Sequence, residues 1–191
     1  MRRPAVGRTE VRIAGFGGQG VILAGMVLGH AAAVYEGKKA VQTQSYGAET
    51  RGGVARSEVV ISNEKIDYPK VISADITMTM SQESFEKYVT DLKPGSALFV
   101  DTDLVTNVSA AAGTKIYCVP ATKIAAEEFK KTLVANMVML GAVSAVTGVV
   151  GLQSLEKSVR ELAPKGSVDL NLRAMDRGFE WAKTNLKPKQ S

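Results

Sequence analysis

The chain has 191 residues, 45% of them hydrophobic, which suits one compact domain with a sizeable core. Its 24 Lys and Arg against 19 Asp and Glu leave a formal charge of +5, compatible with a polyanionic small ligand or an acidic partner surface. No basic run interleaved with aromatics favours nucleic acid, and a single cysteine, Cys118, excludes an internal disulfide and a self-contained iron–sulfur cluster.

Residues 1–9 read as a frayed tail and residues 10–191 as one domain. The start, Met1-Arg2-Arg3-Pro4, is charged and lacks an apolar core, so no secretion signal is expected. Glu10 to Ala14 reads as a short strand entering a glycine-rich turn. Gly18 to Glu36 reads as a helix rich in Ala, Leu and Val, closed by Gly37 as a C-cap signal. Ala40 to Thr43 is a second strand, and Gln44 to Gly53 is polar and glycine-bearing, hence a loop. Val54 to Ser62 alternates as a strand with one polar face. Ala74 to Met80 and Ala97 to Val100 are further strands, separated by a helix over Gln82 to Leu92 and by the Pro94-Gly95 stop. Ile116 to Val119 is another strand, and helices are expected over Thr122–Thr132, Ala135–Val149, Leu152–Leu162 and Val168–Thr184. The stretch from Leu133 to Leu152 is long and apolar, but Asn136, Ser144 and Thr147 within it favour a buried or interface helix over a membrane span. Strands alternating with helices predict an α/β domain with a doubly wound, largely parallel sheet and helices on both faces. A soluble, cytoplasmic protein is expected.

Gly15, Gly17 and Gly20 fit the G-x-G-x-x-G spacing of a phosphate-binding turn between strand and helix. Glycine lets the chain turn sharply and lets backbone N–H groups approach a phosphate, and the helix start adds a positive dipole end. A nicotinamide site also needs a carboxylate near the end of the second strand for the ribose hydroxyls. That strand reads Lys39-Ala40-Val41-Gln42-Thr43 and has none, while Glu36 lies before it as a solvated helix end. No Lys-Ser/Thr pair follows the glycines, so the turn is not a nucleoside-triphosphate loop either.

The second clue is the loop at residues 45–53. Arg51 is flanked by Gly47, Gly52 and Gly53, with Tyr46 upstream. Glycines free an arginine to meet phosphate or carboxylate bidentately, and Tyr46 offers a face for stacking. The alternative is that Arg51 pairs with Glu49 or Glu58 and that the glycines only turn the chain. Elsewhere the plainer reading leads. Cys118 is a small hydrophobe in a strand, His30 is a structural residue in a helix, and Met78, Met80, Met137 and Met139 are core. Lys38 and Lys39 are either solvated or near a ligand phosphate.

Gly15-Phe16-Gly17-Gly18-Gln19-Gly20, Ser45-Tyr46-Gly47-Ala48-Glu49-Thr50-Arg51-Gly52-Gly53 and Asn136-Met137-Val138-Met139-Leu140-Gly141 together resemble the gamma subunit of the 2-oxoacid:ferredoxin oxidoreductases. The likeness runs over roughly residues 10–185, and the Ser-Tyr-Gly-x-Glu-x-Arg-Gly-Gly form looks most like the 2-oxoglutarate branch, with the 2-oxoisovalerate branch close and the pyruvate branch further. The resemblance implies a Rossmann-like domain that binds coenzyme A as co-substrate and presents its thiol to a thiamine-bound acyl group. It places thiamine diphosphate, its magnesium ion and [4Fe-4S] clusters in partner subunits, alpha and beta or alpha, beta and delta, with ferredoxin met indirectly. It implies Gly17, Gly18, Gln19, Gly20, Ser45, Tyr46, Arg51 and Gly52 as coenzyme A-facing residues, with Tyr46 and Arg51 alternatively facing a partner subunit. No catalytic residue, metal site, nucleic acid or membrane contact is expected of this chain. A stand-alone Rossmann-like dehydrogenase and a non-catalytic assembly module are the rival readings.

Overall fold

A computed structural model describes residues 7–46, 53–109, 113–187 and 189–190. The elements run β1 (Arg8–Phe16), α1 (Val21–His30), β2 (Lys39–Ser45), β3 (Val54–Ser62), β4 (Ala74–Thr79), α2 (Gln82–Tyr88) and β5 (Leu92–Asp101). They continue with β6 (Lys115–Val119), α3 (Ala121–Phe129), α4 (Ala135–Thr147), α5 (Leu152–Leu162), α6 (Val168–Asn185) and the two-residue β7 (Lys189–Gln190). The strands form one sheet in the order β2-β3-β1-β4-β5-β6-β7. β1, β4, β5 and β6 are mutually parallel, as the alternation of strands and helices predicts.

Successive residues of a strand point to opposite faces, so each strand serves two layers. Val11 and Ile13 of β1, Met78 of β4 and Phe99 of β5 enter the main core with α1, α4, α5 and α6. Leu98, Val100 and Ile116 point the other way and pack with Phe85 of α2. Helices therefore lie on both faces. α4 is the most deeply placed, with every residue from Ala135 to Ser144 buried. Leu140, Met137 and Met139 are among its fully buried side chains, each worth about 1.5–3 kcal/mol when removed from water. Gly141 of α4 lies against the Met175 carbonyl of α6, so the two backbones touch where any side chain would intrude.

Four local expectations are corrected. β3 runs antiparallel between β1 and β2, so the first two parallel strands are not neighbours. α1 accommodates this by resting on β3, where Gly25 faces Ser57 Oγ with no room for a Cβ. The expected helix over Gly18 to Glu36 is an α-helix only from Val21 to His30; a π-helical turn, Ala31–Tyr35, follows, and Gly37 ends it at φ 65°. The expected stop at Pro94-Gly95 lies inside β5, in the stretch where the pairing with β4 shifts register. A bulge at a strand's start tolerates the missing proline N–H and the φ of 77° at Gly95. α2 is also shorter than expected, giving way to a 3₁₀ turn at Val89–Asp91. Among the described residues, no helix is long and apolar enough to cross a membrane.

Candidate coenzyme site at the sheet switch point

From β1 the chain leaves through α1 on one face, and from β4 it leaves through α2 on the other. The carboxyl ends of β1 and β4 therefore flank a crevice at the point where the strand order reverses, the usual place for a ligand in an open α/β sheet. The glycine turn, residues 17–20, sits at its edge. Gly18 adopts φ 95° and Gly20 φ 72°, conformations that side chains disfavour.

Two side-chain amides hold this turn from within. The Phe16 backbone N–H donates to Gln19 Oε1 at 2.9 Å, and Gln19 Nε2 donates to the Met80 carbonyl at 2.6 Å, tying the turn to the end of β4. On the other side Asn136 Nδ2 donates to the Gly20 carbonyl at 2.9 Å, while Asn136 Oδ1 accepts from Met137 N–H at 2.8 Å. Asn136 is buried at the start of α4, and its amide fills the space that a Cβ on Gly20 would need. Gln19 thus spends both polar ends on the backbone. The Gln19 N–H also closes the turn, donating to the Phe16 carbonyl at 3.3 Å.

The helix starts differ in how they are closed. Ser81 caps α2 through a reciprocal box with Ser84. At α3 the Thr122 N–H and hydroxyl donate to Asp101 at 3.2 and 2.6 Å, and the Lys123 N–H donates to Asp103 at 2.7 Å. Burial pushes the Asp101 carboxyl above its ordinary range, while the Thr122 and Asp103 hydrogen bonds pull it down. α1 has Gly20 at its cap position and no side-chain cap hydrogen bond. Helices α4, α5 and α6 also begin without a side-chain N-cap hydrogen bond, and it is the place of α1 at the crevice that offers its dipole end to an anion. Beside it lies a cavity of about 330 Å³, bordered by Phe16, Gly18, Met80, Leu104, Thr122 and Leu133. Phe16 and Leu133 are exposed at its rim.

The second predicted segment converges on the same edge. In the sheet Phe16 stands opposite Val54, and Ser45 stands opposite Arg56, so the hairpin loop between β2 and β3 leaves the sheet beside the glycine turn. Ser45 and Tyr46 are exposed there. Arg51 and Gly52 lie outside the described residues, as does Glu49. The other partner considered for Arg51, Glu58, is buried and receives Arg12 Nε at 2.9 Å, so that carboxylate is already neutralised.

The remaining candidates have structural places. Glu36 is not a solvated helix end: its Oε1 accepts the Gly151 N–H at 2.6 Å and its Oε2 meets Lys38 Nζ at 2.8 Å, clasping the end of α1 to the α4–α5 connection. Lys38 also donates to the Val149 carbonyl at 2.8 Å, and Lys39 begins β2 at the opposite edge of the sheet from the glycine turn. His30 joins α1 to α5 through Ser158 Oγ at 3.0 Å. Cys118 is half-buried against the α2-side core, and Met78, Met80, Met137 and Met139 are buried, with Met80 also bordering the cavity. A dinucleotide site would need the second parallel strand beside β1; β3 occupies that position with Val54 and Arg56 at its start, so no ribose carboxylate stands there. Among the described residues, no group of three His, Cys, Asp or Glu side chains is placed to hold a metal ion. Reasoning on the sequence assigned no role to Asn136; a polar residue opening an otherwise apolar helix was the available signal.

Residues 10–181 match the pyruvate ferredoxin/flavodoxin oxidoreductase family. The 2-oxoglutarate synthase subunit KorC of Methanocaldococcus jannaschii is 51% identical over 177 residues, covering 92% of this chain and 95% of that one. The keto/oxoacid ferredoxin oxidoreductase gamma subunit of Geobacter sulfurreducens superposes with a TM-score of 0.85 at 42% identity, covering 96% of this chain and 99% of that one. The 2-oxoglutarate:ferredoxin oxidoreductase of Magnetococcus marinus, solved with 2-oxoglutarate, coenzyme A and succinyl-CoA bound, superposes with a TM-score of 0.84 at 27% identity; the match covers 95% of this chain and 32% of that longer one.

Proposed function

The chain belongs to the pyruvate ferredoxin/flavodoxin oxidoreductase family, and from that premise we propose that it is the coenzyme A-binding gamma subunit of a cytoplasmic 2-oxoglutarate:ferredoxin oxidoreductase. It works as one subunit among partners of the same complex. Thiamine diphosphate and iron–sulfur clusters belong to those partners and supply decarboxylation and electron transfer to ferredoxin. This chain holds coenzyme A so that its thiol takes up the acyl group.

The observation that carries the reading is the peptide cradle of Gly17, Gly18 and Gly20, braced by Gln19 and Asn136 at a start of α1 that has no side-chain cap. Coenzyme A brings a pyrophosphate, for which such a cradle is the ordinary partner. The relative with coenzyme A bound supports the choice of anion. Arg51 and Gly52 on the adjoining loop add charge and close approach, and Tyr46 adds a face for stacking. The 330 Å³ cavity then receives the thiol-bearing arm, with Phe16, Met80 and Leu133 excluding water from it.

Reconstitution tests this. The purified chain alone should oxidise no 2-oxoglutarate with any acceptor dye. Adding it to complex lacking this subunit should restore coenzyme A-dependent succinyl-CoA formation. Turnover by the chain alone, or full acyl-CoA formation without it, contradicts the proposal.

A further inference from the structure

A second braced segment lies at the other end of the sheet from the glycine turn. At the amino ends of the parallel strands, residues 63–73 join β3 to β4. Ile72 in this segment is 71% exposed, more than any other large apolar side chain among the described residues, and Tyr68 is half exposed. We infer that Tyr68 and Ile72 anchor a docking surface for the subunit of the same complex that corresponds to the rest of a longer relative's chain. The partner meets them with an apolar pocket rimmed by carboxylates. The inference rests on the reading that the chain works among partner subunits, and not on where the coenzyme lies.

Two side chains of β1 latch this segment. Arg8 donates from Nη1 to the Tyr68 carbonyl at 2.9 Å, from Nη2 to the Lys70 carbonyl at 3.1 Å and from Nε to Glu10 Oε1 at 2.8 Å. Glu10 is buried, and its Oε2 accepts the Ile72 and Ser73 N–H groups at 2.8 and 3.1 Å. Burial pushes the Glu10 carboxyl up, but Arg8 and those two N–H groups bring it below its ordinary value, so the latch is ionised at neutral pH. Val71 is buried with Val60 and Ala74, and Ile66 packs on them. The segment thus gives Ile66 and Val71 to the core and holds Tyr68 and Ile72 outside it. A backbone fixed before binding spares association the cost of ordering a loop, and tyrosine is a favoured interface anchor.

The first and last strands both open on this side. β1 enters the sheet at Arg8, and β7, antiparallel to β6, brings Gln190 beside Lys115 at the start of β6. In the longer Magnetococcus marinus chain this fold accounts for 32% of the polypeptide, so the remainder is tethered through one or both of these strands, on the side that carries Tyr68 and Ile72. Between separate subunits, contact has to supply what the tether supplies as effective concentration. The charge at this end says what the contact meets. Lys39, Lys70 and Lys115 are exposed and pair with no carboxylate among the described residues, with Glu64 the opposing carboxylate left without a partner. Asp67 and Asp75 are already paired with Lys65 and Lys93. The unbalanced charge is positive, which favours an acidic rim on the partner.

The test reads the concentration of added chain that gives half-maximal activity to complex lacking this subunit, at saturating coenzyme A. Ile72→Asp and Tyr68→Ser should each raise that concentration by about tenfold or more. Turnover at saturating chain, the coenzyme A KM and the melting temperature of the isolated chain should stay at wild-type values, because both side chains lie in solvent. Lys70→Glu should raise the half-maximal concentration at low salt and match wild type at high salt. An unchanged half-maximal concentration in Ile72→Asp or Tyr68→Ser, a rise matched in both by a fall in melting temperature, or a Lys70→Glu chain that equals wild type at low salt overturns the inference. So does a homodimer of the isolated chain that Ile72→Asp dissociates while reconstitution is unchanged, which would give the surface to a second copy. A wild-type chain that restores no activity contradicts the subunit reading instead, which is a distinguishable result.

Discussion

Asn136 donates its side-chain amide to the carbonyl of Gly20, 116 residues earlier in the chain, and stands where any side chain on residue 20 would have to lie. One hydrogen bond therefore couples the start of the most deeply buried helix to the last peptide of the glycine turn. It explains why glycine is required at position 20 twice over, for its φ of 72° and for the room it leaves.

Gly20→Ala should cost about 1–2 kcal/mol for the left-handed backbone, with the clash against Asn136 added. Asn136→Ala should cost about 1–3 kcal/mol by removing a buried donor to the Gly20 carbonyl, which keeps the Ala24 N–H at 3.1 Å, and the acceptor of the Met137 N–H. The double variant relieves the clash, so thermal or urea unfolding should show it more stable than the sum of the two losses, by 0.5 kcal/mol or more on the usual scale of coupled contacts, about the smallest such coupling. Additive losses would separate the two residues.

Gln19→Glu keeps an acceptor for the Phe16 N–H but replaces the donor to the Met80 carbonyl with a carboxylate oxygen. Repulsion there should loosen the tie between the turn and β4, lowering stability by about 1–3 kcal/mol and raising the coenzyme A KM. The charge also opposes an incoming phosphate. Gln19→Met, which removes the hydrogen bonds without adding charge, should raise KM less; an equal rise in both would show that charge plays no part.

Arg51→Ala should weaken coenzyme A by about ten- to a hundredfold, the effect of one charge-assisted bond of about 1.5–3 kcal/mol. Arg51→Lys should recover part of this, because ammonium keeps the charge and loses the planar fork. KM and subunit retention, measured on the same preparation, separate ligand contact from docking: poor co-purification with an unchanged KM would assign Arg51 to a partner surface.

Stability should depend on pH through a carboxylate pair between α5 and α6. Burial, then the facing Asp176, raise Glu156 above its ordinary value of 4.5, against the pull of Arg160. The buried Asp176 Oδ1 lacks a donor unless Glu156 carries a proton. A raised pKa in the folded state means that the contribution is complete below about pH 4.5 and is lost as pH rises through the raised value. Asp176→Asn supplies a permanent donor, so its stability curve should be flatter than wild type over that window. Parallel curves for the two proteins would remove the pair from the account.

The sequence carried much of this architecture because the signals were local. Val54–Ser62 and Leu152–Leu162 were legible to the residue from alternation and helical periodicity. The antiparallel insertion of β3 was not, since pairing partners depend on packing between distant segments, here Gly25 on Ser57. Pro94-Gly95 misled because a breaker pair can sit in a strand's bulge as well as beyond its end. At the site, the glycine spacing was legible and its bracing was not: nothing near Gly20 in the sequence announces Asn136. The charged residues Glu36 and Lys38 read as solvated until the α4–α5 connection was seen to cover them.

Coenzyme A titration of the assembled complex, carrying either the wild-type chain or Gly18→Val, bears most directly on the claim that the glycine turn holds the coenzyme. Among the described residues, chain neighbours aside, no atom lies within 4 Å of a Cβ placed on Gly18, so the variant should assemble, with a strained φ of 95° to bear. The account predicts saturable binding to wild type and an affinity at least about tenfold weaker in Gly18→Val, with thiamine-dependent decarboxylation retained. Equal affinity in the two assembled complexes would contradict it.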